Sequence, residues 1–187
     1  MPMEMLVLNT LRCMGFTTLP RLAQATGRGE SDVQSELIDL AVAGLVIYEP
    51  GYFGGWGVTP AGKTEHAARV AAELDAAGAR PAVTEALDRF LPLNTELLDL
   101  CTAWQTGTAG DARVLSLLAD LDRRADTVLA TLARALSRFA GYRPRLTEAL
   151  TRANAGEREF VTDDMASYHV IWFQLHEDLL VTLGIPR

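Results

Sequence analysis

One stretch, from Gly29 to Gly62, constrains the fold more than any other part of the chain. Apolar residues at helical spacing are followed by a glycine, two short β-forming runs around a glycine-rich turn, and a Thr-Pro helix start. The predicted elements are a helix from Ser31 to Gly44, strands over Val46–Tyr48 and Trp56–Val58, and a helix after Thr59. Ser31 and Gln34 form an S-x-x-Q capping box, which predicts where the first of these helices begins.

The residues before this stretch predict two more helices, over Met3–Met14 and Leu19–Thr26, with a short strand at Phe16–Thr18 between them. Gly27 is a typical stop for the second helix. Three helices, a strand-turn-strand unit and a further helix are typical of a winged helix-turn-helix, in which Glu49–Gly55 is the wing. The predicted fold is therefore mainly α, with a small β-wing in its N-terminal half.

Three short motifs follow one another through this half of the chain: Leu22-Ala23 with Ala25-Thr26-Gly27, then Gly44-Leu45-Val46, then Val58-Thr59-Pro60-Ala61-Gly62-Lys63. Over about residues 3–78 they resemble the winged-helix domains of MarR- and PadR-type bacterial regulators. The resemblance implies a transcriptional regulator that binds double-stranded DNA as a homodimer, in the cytoplasm. A helix-turn-helix of this kind places its recognition helix in the major groove.

The resemblance also implies which side chains contact DNA. Around the third helix, the residues suited to hydrogen-bond bases or phosphates are Arg21, Arg28, Ser31, Gln34, Ser35 and Lys63. At the tip of the wing, Tyr52 and Phe53 are expected to be exposed contact residues.

The charge of the same surface favours a second function. Glu30, Asp32, Glu36 and Asp39 fall in or beside the third helix, Pro50–Gly55 contains no basic residue, and the chain has a formal net charge of −7. Phosphates repel carboxylates, so these residues oppose DNA binding. The alternative is a winged-helix module that binds a protein partner, such as an accessory subunit of an enzyme complex, and does not bind DNA.

The second half of the chain predicts an all-α bundle. Its helices are expected over Pro81–Phe90, Leu93–Gln105, Asp111–Phe139, Arg145–Asn154 and Met165–Leu183, with a kink or restart at Pro92. The arginines and aspartates between residues 113 and 138 are interpreted as a solvated helix face with local ion pairs. The predicted domains are a winged helix-turn-helix at residues 1–78 and a dimerisation or ligand domain at residues 79–187.

The last helix is apolar nearly all round and carries two histidines seven residues apart. Ser167–Leu180 is similar to the end of actinobacterial proteins described as winged-helix regulators. One hypothesis is a pocket for a small-molecule effector, lined by Trp104, Tyr168, His169, Trp172 and His176. The alternative is that both histidines are core residues with hydrogen-bonding partners.

No enzyme, metal or cofactor is expected. Zinc-binding pairs on one helix prefer a spacing shorter than seven, and no nucleophile signature or phosphate loop is recognised. Glu177 and Asp178 point in different directions on a helix and are interpreted as a solvated edge. Cys13 and Cys101 are expected to be free, buried thiols. No apolar run approaches the length of a membrane span, and no signal peptide is recognised.

Overall fold

The structure, a computed structural model, describes residues 3–51 and 54–186, and within them the chain is mainly helical with a small antiparallel sheet. In chain order the elements are α1 (Met3–Met14), α2 (Leu19–Thr26), α3 (Glu30–Val42), β1 (Val46–Glu49), β2 (Gly55–Val58), α4 (Pro60–Ala76), α5 (Arg80–Thr106), α6 (Asp111–Ala135), a 3₁₀ helix (Ser137–Gly141), α7 (Tyr142–Asn154), α8 (Glu159–Thr162) and α9 (Tyr168–Leu183).

Two compact units make up the chain. The first contains the residues up to Ala77 together with those from Leu180 onwards, and the second runs from Gly78 to Leu179. The predicted domains, residues 1–78 and 79–187, stay a prediction.

The first three helices share one apolar core in the first unit, and the bounds predicted for α1 and α2 are confirmed. The side chains buried together in this core are Val7, Leu8, Leu11, Leu22, Ala23, Val33, Leu37, Leu40, Leu45 and Val46. Burial of so many aliphatic side chains, each contributing about 1.5–3 kcal/mol, stabilises this arrangement. Gly27 ends α2 with φ 65°, a left-handed conformation that glycine adopts without steric strain.

The predicted start of α3 is wrong. The helix begins at Glu30, its N-cap is Gly29, and no side chain caps it. Because Gly29 already has the extended backbone (φ −65°, ψ 145°) that precedes a helix, Ser31 lies inside the first turn. The hydroxyl of Ser31 therefore does not form the capping box that its spacing from Gln34 suggested.

The two strands pair in antiparallel register, with Val46 opposite Val58 and Tyr48 opposite Trp56. The predicted strand at Phe16–Thr18 is reduced to one bridge: the Thr17 amide donates to the Trp56 carbonyl (3.0 Å), and the Trp56 amide donates to the Thr17 carbonyl (2.8 Å). A glycine at position 55 permits this approach, because a Cβ there would lie 2.5 Å from the Thr17 carbonyl oxygen.

The Thr59–Gly62 segment joins the sheet to α4, as its motif predicted. The Thr59 hydroxyl donates to the Gly44 carbonyl (2.7 Å) and accepts from the Gly62 amide (3.0 Å), so one side chain ties the end of α3 to the start of α4. Gly62 is buried against the turn before β1, where a Cβ would lie 1.9 Å from the Leu45 carbonyl oxygen. Glycine is therefore a packing requirement at this position.

In the second unit, α8 was not predicted, the ends of α5 differ from the prediction by one residue each, and three other helix ends differ by more. α6 stops at Ala135 because Leu136 adopts an extended backbone (φ −140°, ψ 114°), and Phe139 lies in the 3₁₀ helix that follows. α7 begins at Tyr142 and α9 at Tyr168, so both starts were also misplaced. In α5, by contrast, Pro92 is accommodated inside one continuous helix on its exposed side.

Within residues 3–51 and 54–186, no helix combines the length and the apolar composition that crossing a membrane requires.

Candidate functional site

The α2–turn–α3 segment forms the first candidate surface. The amide of Arg28 donates to the Ala23 carbonyl (3.1 Å), so the turn closes directly against α2. Leu22 and Ala23 of α2, and Val33, Leu37 and Leu40 of α3, point into the core. The opposite face of α3 is consequently presented to solvent.

The predicted polar residues of α3 lie on that solvent face. Ser31, Gln34 and Ser35 are all exposed, as the helical spacing of Val33, Leu37 and Leu40 requires. Farther along the same face, Ile38 is 51% exposed and Val42 is 86% exposed. This helix therefore presents hydrogen-bonding side chains near its N-terminus and apolar side chains near its C-terminus.

Three basic side chains lie on the first unit with their charges available. Arg21, Arg28 and Lys63 are exposed, and none of the three forms an ion pair within the described part of the chain. Arg69 differs from them, because its guanidinium donates to Glu4 (2.5 Å) and Glu65 (2.7 Å).

The carboxylates of α3 are not neutralised by basic residues of the same helix, which has none. Glu30, Asp32 and Asp39 are exposed. The pKa of Glu36 is raised by its partial burial, and further by the negative charges of Asp39 and Glu4. Burial is the largest cause of this raised pKa, and the repulsion from Asp39 and Glu4 adds to it.

The hairpin presents a tyrosine beside a partly buried tryptophan. Tyr48 is 55% exposed, and its ring lies 5.3 Å from that of Trp56, which packs against the core of the first unit. Tyr52 and Phe53, the residues predicted to contact a partner at the wing tip, lie outside the described residues.

In the second unit, the structure brings three of the five predicted pocket residues together in an aromatic stack. The ring of Phe90 lies 4.7 Å from Trp172 and 5.2 Å from His176, and Tyr168 lies 6.1 Å from Trp172. Tyr168 is 0% exposed and Trp172 is 2% exposed. Phe90, which the sequence identified only as a helix residue, contacts both Trp172 and His176 in this stack.

The polar atoms of the stack bond within the protein. The Tyr168 hydroxyl donates to Asp122 Oδ1 (2.9 Å), and Trp172 Nε1 donates to Asn94 Oδ1 (3.1 Å). Burial raises the pKa of Tyr168, and the adjacent Asp122 carboxylate raises it further. These contacts are those of a packed core around Tyr168 and Trp172.

The remaining two predicted pocket residues have separate surroundings. Trp104 lies beneath the guanidinium of Arg158, 4.4 Å from the ring centre, a cation–π contact. His169 is half-buried, and that burial lowers its pKa. An effector pocket formed by the five residues stays a prediction.

The interpretation of Glu177 and Asp178 as a solvated edge is wrong, and so is the placement of Arg138 on a solvated face. All three are buried, at 9%, 1% and 6% exposure. Arg138 forms an ion pair with Asp178, whose other oxygen accepts from the Tyr142 hydroxyl (2.9 Å). A helix that is apolar all round is buried on several sides, and this was the signal that its acidic residues are buried too.

A second ion-pair network connects α6 and α7. Arg143 donates to both oxygens of Asp122 (2.7 and 2.9 Å) and to Asp126 (2.8 Å). Asp122 thereby accepts from Arg143 and Tyr168 together. The predicted local ion pairs on α6 are confirmed for Arg123 and Arg124, which both contact Asp120.

Both cysteines are free and buried, as predicted. Burial raises the pKa of the Cys101 thiol to about 11, which disfavours the reactive thiolate. Across the residues that the structure describes, no group of three His, Cys, Asp or Glu side chains is placed to hold a metal ion.

Comparison of the chain with protein-family models, with curated proteins and with solved structures finds no match in any of the three. The resemblance to MarR- and PadR-type regulators therefore stays a prediction.

Proposed function

We propose that this protein is a winged-helix transcriptional regulator that binds a specific double-stranded DNA site as a homodimer. The observation that carries the proposal is the α2–turn–α3 segment. Its core-facing residues fix α3 against α1 and α2, while Ser31, Gln34 and Ser35 remain exposed on the opposite face. Hydroxyl and amide groups on an exposed helix are suited to read base edges in the major groove.

Three exposed basic side chains beside α3 also favour the proposal. Arg21 and Arg28 are exposed near the turn that leads into α3, and Lys63 is exposed on the first turns of α4. Free basic side chains that flank a helix of this type hold phosphates and so set its register along the duplex.

The carboxylates of α3 determine what kind of DNA binding is proposed. Glu30, Asp32 and Asp39 repel phosphates, whereas each basic contact releases counterions and favours binding. With three basic side chains against these acids, affinity for random DNA is expected to be weak. Binding to the correct site then depends mainly on base contacts and on the presence of two protomers.

Binding to the DNA upstream of the chain's own coding region tests the proposal. Fluorescence anisotropy of a labelled duplex at modest salt is expected to give saturable binding by the wild type. Arg28→Gln weakens it, because a phosphate contact is lost. Arg89→Gln, which changes an exposed arginine of the second unit, is the matched control and leaves it unchanged. Equal binding by all three proteins and by unrelated duplexes contradicts specific recognition.

A second function, contact with a protein partner, is favoured by the far end of α3. Ile38 and Val42 are exposed close to the carboxylate of Asp39, so the helix presents an apolar and acidic surface there. Such a surface suits a basic, apolar groove on another protein better than it suits a phosphate backbone.

One pair of substitutions separates the two functions. Gln34→Ala removes a base-reading amide and is expected to weaken DNA binding while leaving any protein complex intact. Val42→Ser replaces the most exposed apolar side chain of α3 with an uncharged polar one and is expected to do the reverse. If Val42→Ser abolishes the recovery of a stable partner and Gln34→Ala has no effect on DNA, the protein-binding function replaces the regulator.

A further inference from the structure

A cavity of about 270 Å³ lies in the second unit, between the last turns of α6, the 3₁₀ helix and the start of α7. Pockets for drug-sized ligands commonly have volumes of about 300–1,000 Å³, so this cavity suits a smaller molecule. Most of its lining residues are apolar, and two of them, Asp126 and Arg143, are charged. A small apolar site with few charged groups can be selective for one class of ligand.

Alanines leave the space. On α6, Ala130 and Ala133 follow Asp126 at helical spacing, so the three residues share one face of the helix. Ala140 of the 3₁₀ helix lines the cavity as well. Two large apolar residues, 3% and 1% exposed, form the inner wall: Leu129 and Phe139. An apolar ring that enters between the alanines would therefore contact a closed apolar surface.

Ion pairs hold the walls of the cavity in place. Arg143, in the first turn of α7, donates through Nη1 to Asp126 (2.8 Å) and through Nη2 to Asp122 (2.7 and 2.9 Å). Its Nε donates to the Thr147 hydroxyl (3.1 Å), so every nitrogen of the guanidinium contacts an acceptor of the protein. The cavity is therefore preformed, which lowers the cost of ordering its walls around a ligand.

The charges at the cavity favour a cation. Asp122 and Asp126 contribute two negative charges against one positive charge from Arg143. Both oxygens of Asp122 accept from Arg143, and one of them also accepts from Tyr168. Asp126 is different, because only its Oδ1 accepts from Arg143 and its side chain is 63% exposed. The other oxygen of Asp126 can accept from a donor that enters from the solvent.

The next basic residue along α6 does not cancel this excess of negative charge. Arg134 is exposed and does not line the cavity, and its guanidinium lies 3.5 Å from the Thr131 hydroxyl. The net charge and the apolar walls together favour a ligand with an ammonium group on an apolar body.

We infer that this cavity binds a small primary amine in its protonated form, with an apolar ring, of the class of arylalkylamines. The ring lies against Leu129 and Phe139, which removes its apolar surface from water at about 25 cal/mol per Å² of area buried. The ammonium group donates to Asp126 Oδ2. This site goes beyond the proposed DNA binding, because none of its residues belongs to the first unit, and it shares no residue with the effector pocket predicted from the sequence.

Titration of the full chain with 2-phenylethylamine at pH 7, followed by the NMR chemical shifts of its backbone amides in the absence of DNA, tests this inference. An aliphatic amine is protonated at this pH, as lysine is with its pKa of about 10.4. We expect saturable shifts that fit one site per chain and are largest at Ala130, Ala133 and Ala140.

A neutral analogue and two variants separate the charge from the cavity. 2-Phenylethanol has the same ring without the charge, and loss of an exposed ion pair lowers affinity by up to about fivefold, so it is expected to bind more weakly by up to that factor. Asp126→Asn weakens binding of the amine by a similar factor and leaves binding of the alcohol unchanged. Ala133→Phe places a phenyl group inside the cavity and is expected to abolish binding of both. Ala112→Phe is its matched control, because Ala112 is an exposed alanine of α6 that does not line the cavity.

Circular dichroism and thermal unfolding verify that each variant is folded. For a variant that does not fold, the shifts of the wild type still locate the site. Three results overturn the inference: no saturable binding by the wild type, equal affinity for the amine and the alcohol, or binding that a folded Ala133→Phe variant retains. Light scattering adds a fourth: if the wild type does not bind the amine and Ala133→Phe changes the molar mass, the cavity is a contact between copies of the chain.

Discussion

The ion pair between Arg138 and Asp178 provides the sharpest test of the packing in the second unit. Their side chains are 0% and 1% exposed, so each charge contributes to the electrostatic compensation of the other in a site shielded from water. Asp178→Asn keeps the volume of the side chain but leaves the guanidinium buried beside a neutral amide. Breaking a buried pair in this way costs about 3–5 kcal/mol.

Urea unfolding measures this cost. With an m-value of about 2 kcal/mol/M, typical of small domains, the midpoint is expected to fall by about 1.5–2.5 M. Trp56 is the tryptophan of the first unit, and Trp104 and Trp172 belong to the second. In a Trp56→Phe background, fluorescence therefore follows the second unit alone.

An exposed pair is the matched control. Arg89 contacts Glu85 at 2.7 Å with side chains 55% and 61% exposed, and Glu85→Gln is expected to cost at most about 0.5 kcal/mol. The double variant Arg138→Met/Asp178→Asn removes both buried charges and should be more stable than Asp178→Asn alone. A midpoint shift below about 0.5 M for Asp178→Asn, or additive costs in the double variant, refutes the reasoning.

Three further outcomes are expected. Gly62→Ala is expected to lower the melting temperature, because the Cβ of alanine would collide with the Leu45 carbonyl. Alanine normally stabilises a helix relative to glycine by up to about 1 kcal/mol, so an unchanged or higher melting temperature contradicts this packing. Burial lowers the pKa of His169 below its unfolded value of about 6.5, so the folded state binds its proton less readily than the unfolded state. Stability is therefore complete above about pH 6.5 and declines as the pH falls through the folded pKa, and His169→Gln reduces that decline in thermal unfolding at pH 7.5 and 5.5. The Cys101 thiol is expected to react with a disulfide reagent far more slowly than free cysteine at pH 8, because the thiol is buried and its pKa is raised. Rapid reaction in the native protein would contradict this burial.

The sequence predicted the first unit well because its boundaries are set locally. Gly27 ends α2 because its own backbone is left-handed, and Thr59 caps α4 with its own hydroxyl. The prediction of a capping box at Ser31 was wrong for a reason that is also local, because the extended backbone of Gly29 allows α3 to start before Ser31. The reason for glycine at position 62 is not local, because it lies in the contact with Leu45.

The second unit was less predictable because its buried charged residues pair with residues that are far away along the sequence. Arg138 was predicted to lie on a solvent-exposed face because it is charged, but its buried partner Asp178 follows 40 residues later in the sequence. The end of α6 was missed because Phe139 keeps the apolar period while the backbone changes to a 3₁₀ helix. Sequence periodicity reports which side faces the core, and it does not show where the hydrogen-bond pattern changes.

The candidate site was predictable only in part. The exposure of Ser31, Gln34 and Ser35 follows from helical spacing and is confirmed. The close packing of Phe16 and Thr17 against β2 was not found from the sequence, because it joins segments that are far apart along the chain. Glycines at positions 55 and 57 were its signal, since a Cβ at Gly55 would lie 2.5 Å from the Thr17 carbonyl oxygen and one at Gly57 would lie 2.5 Å from the Phe16 ring.

Selection of DNA from a pool of genomic fragments tests the central claim most directly. The wild-type protein is expected to enrich fragments that share one sequence motif. The variant Gln34→Ala/Ser35→Ala, folded to the same extent by circular dichroism, is expected to lose that enrichment because the base contacts of α3 are gone. Failure of the wild type to enrich any motif, or enrichment of the same motif by the variant, contradicts the proposal that α3 reads DNA.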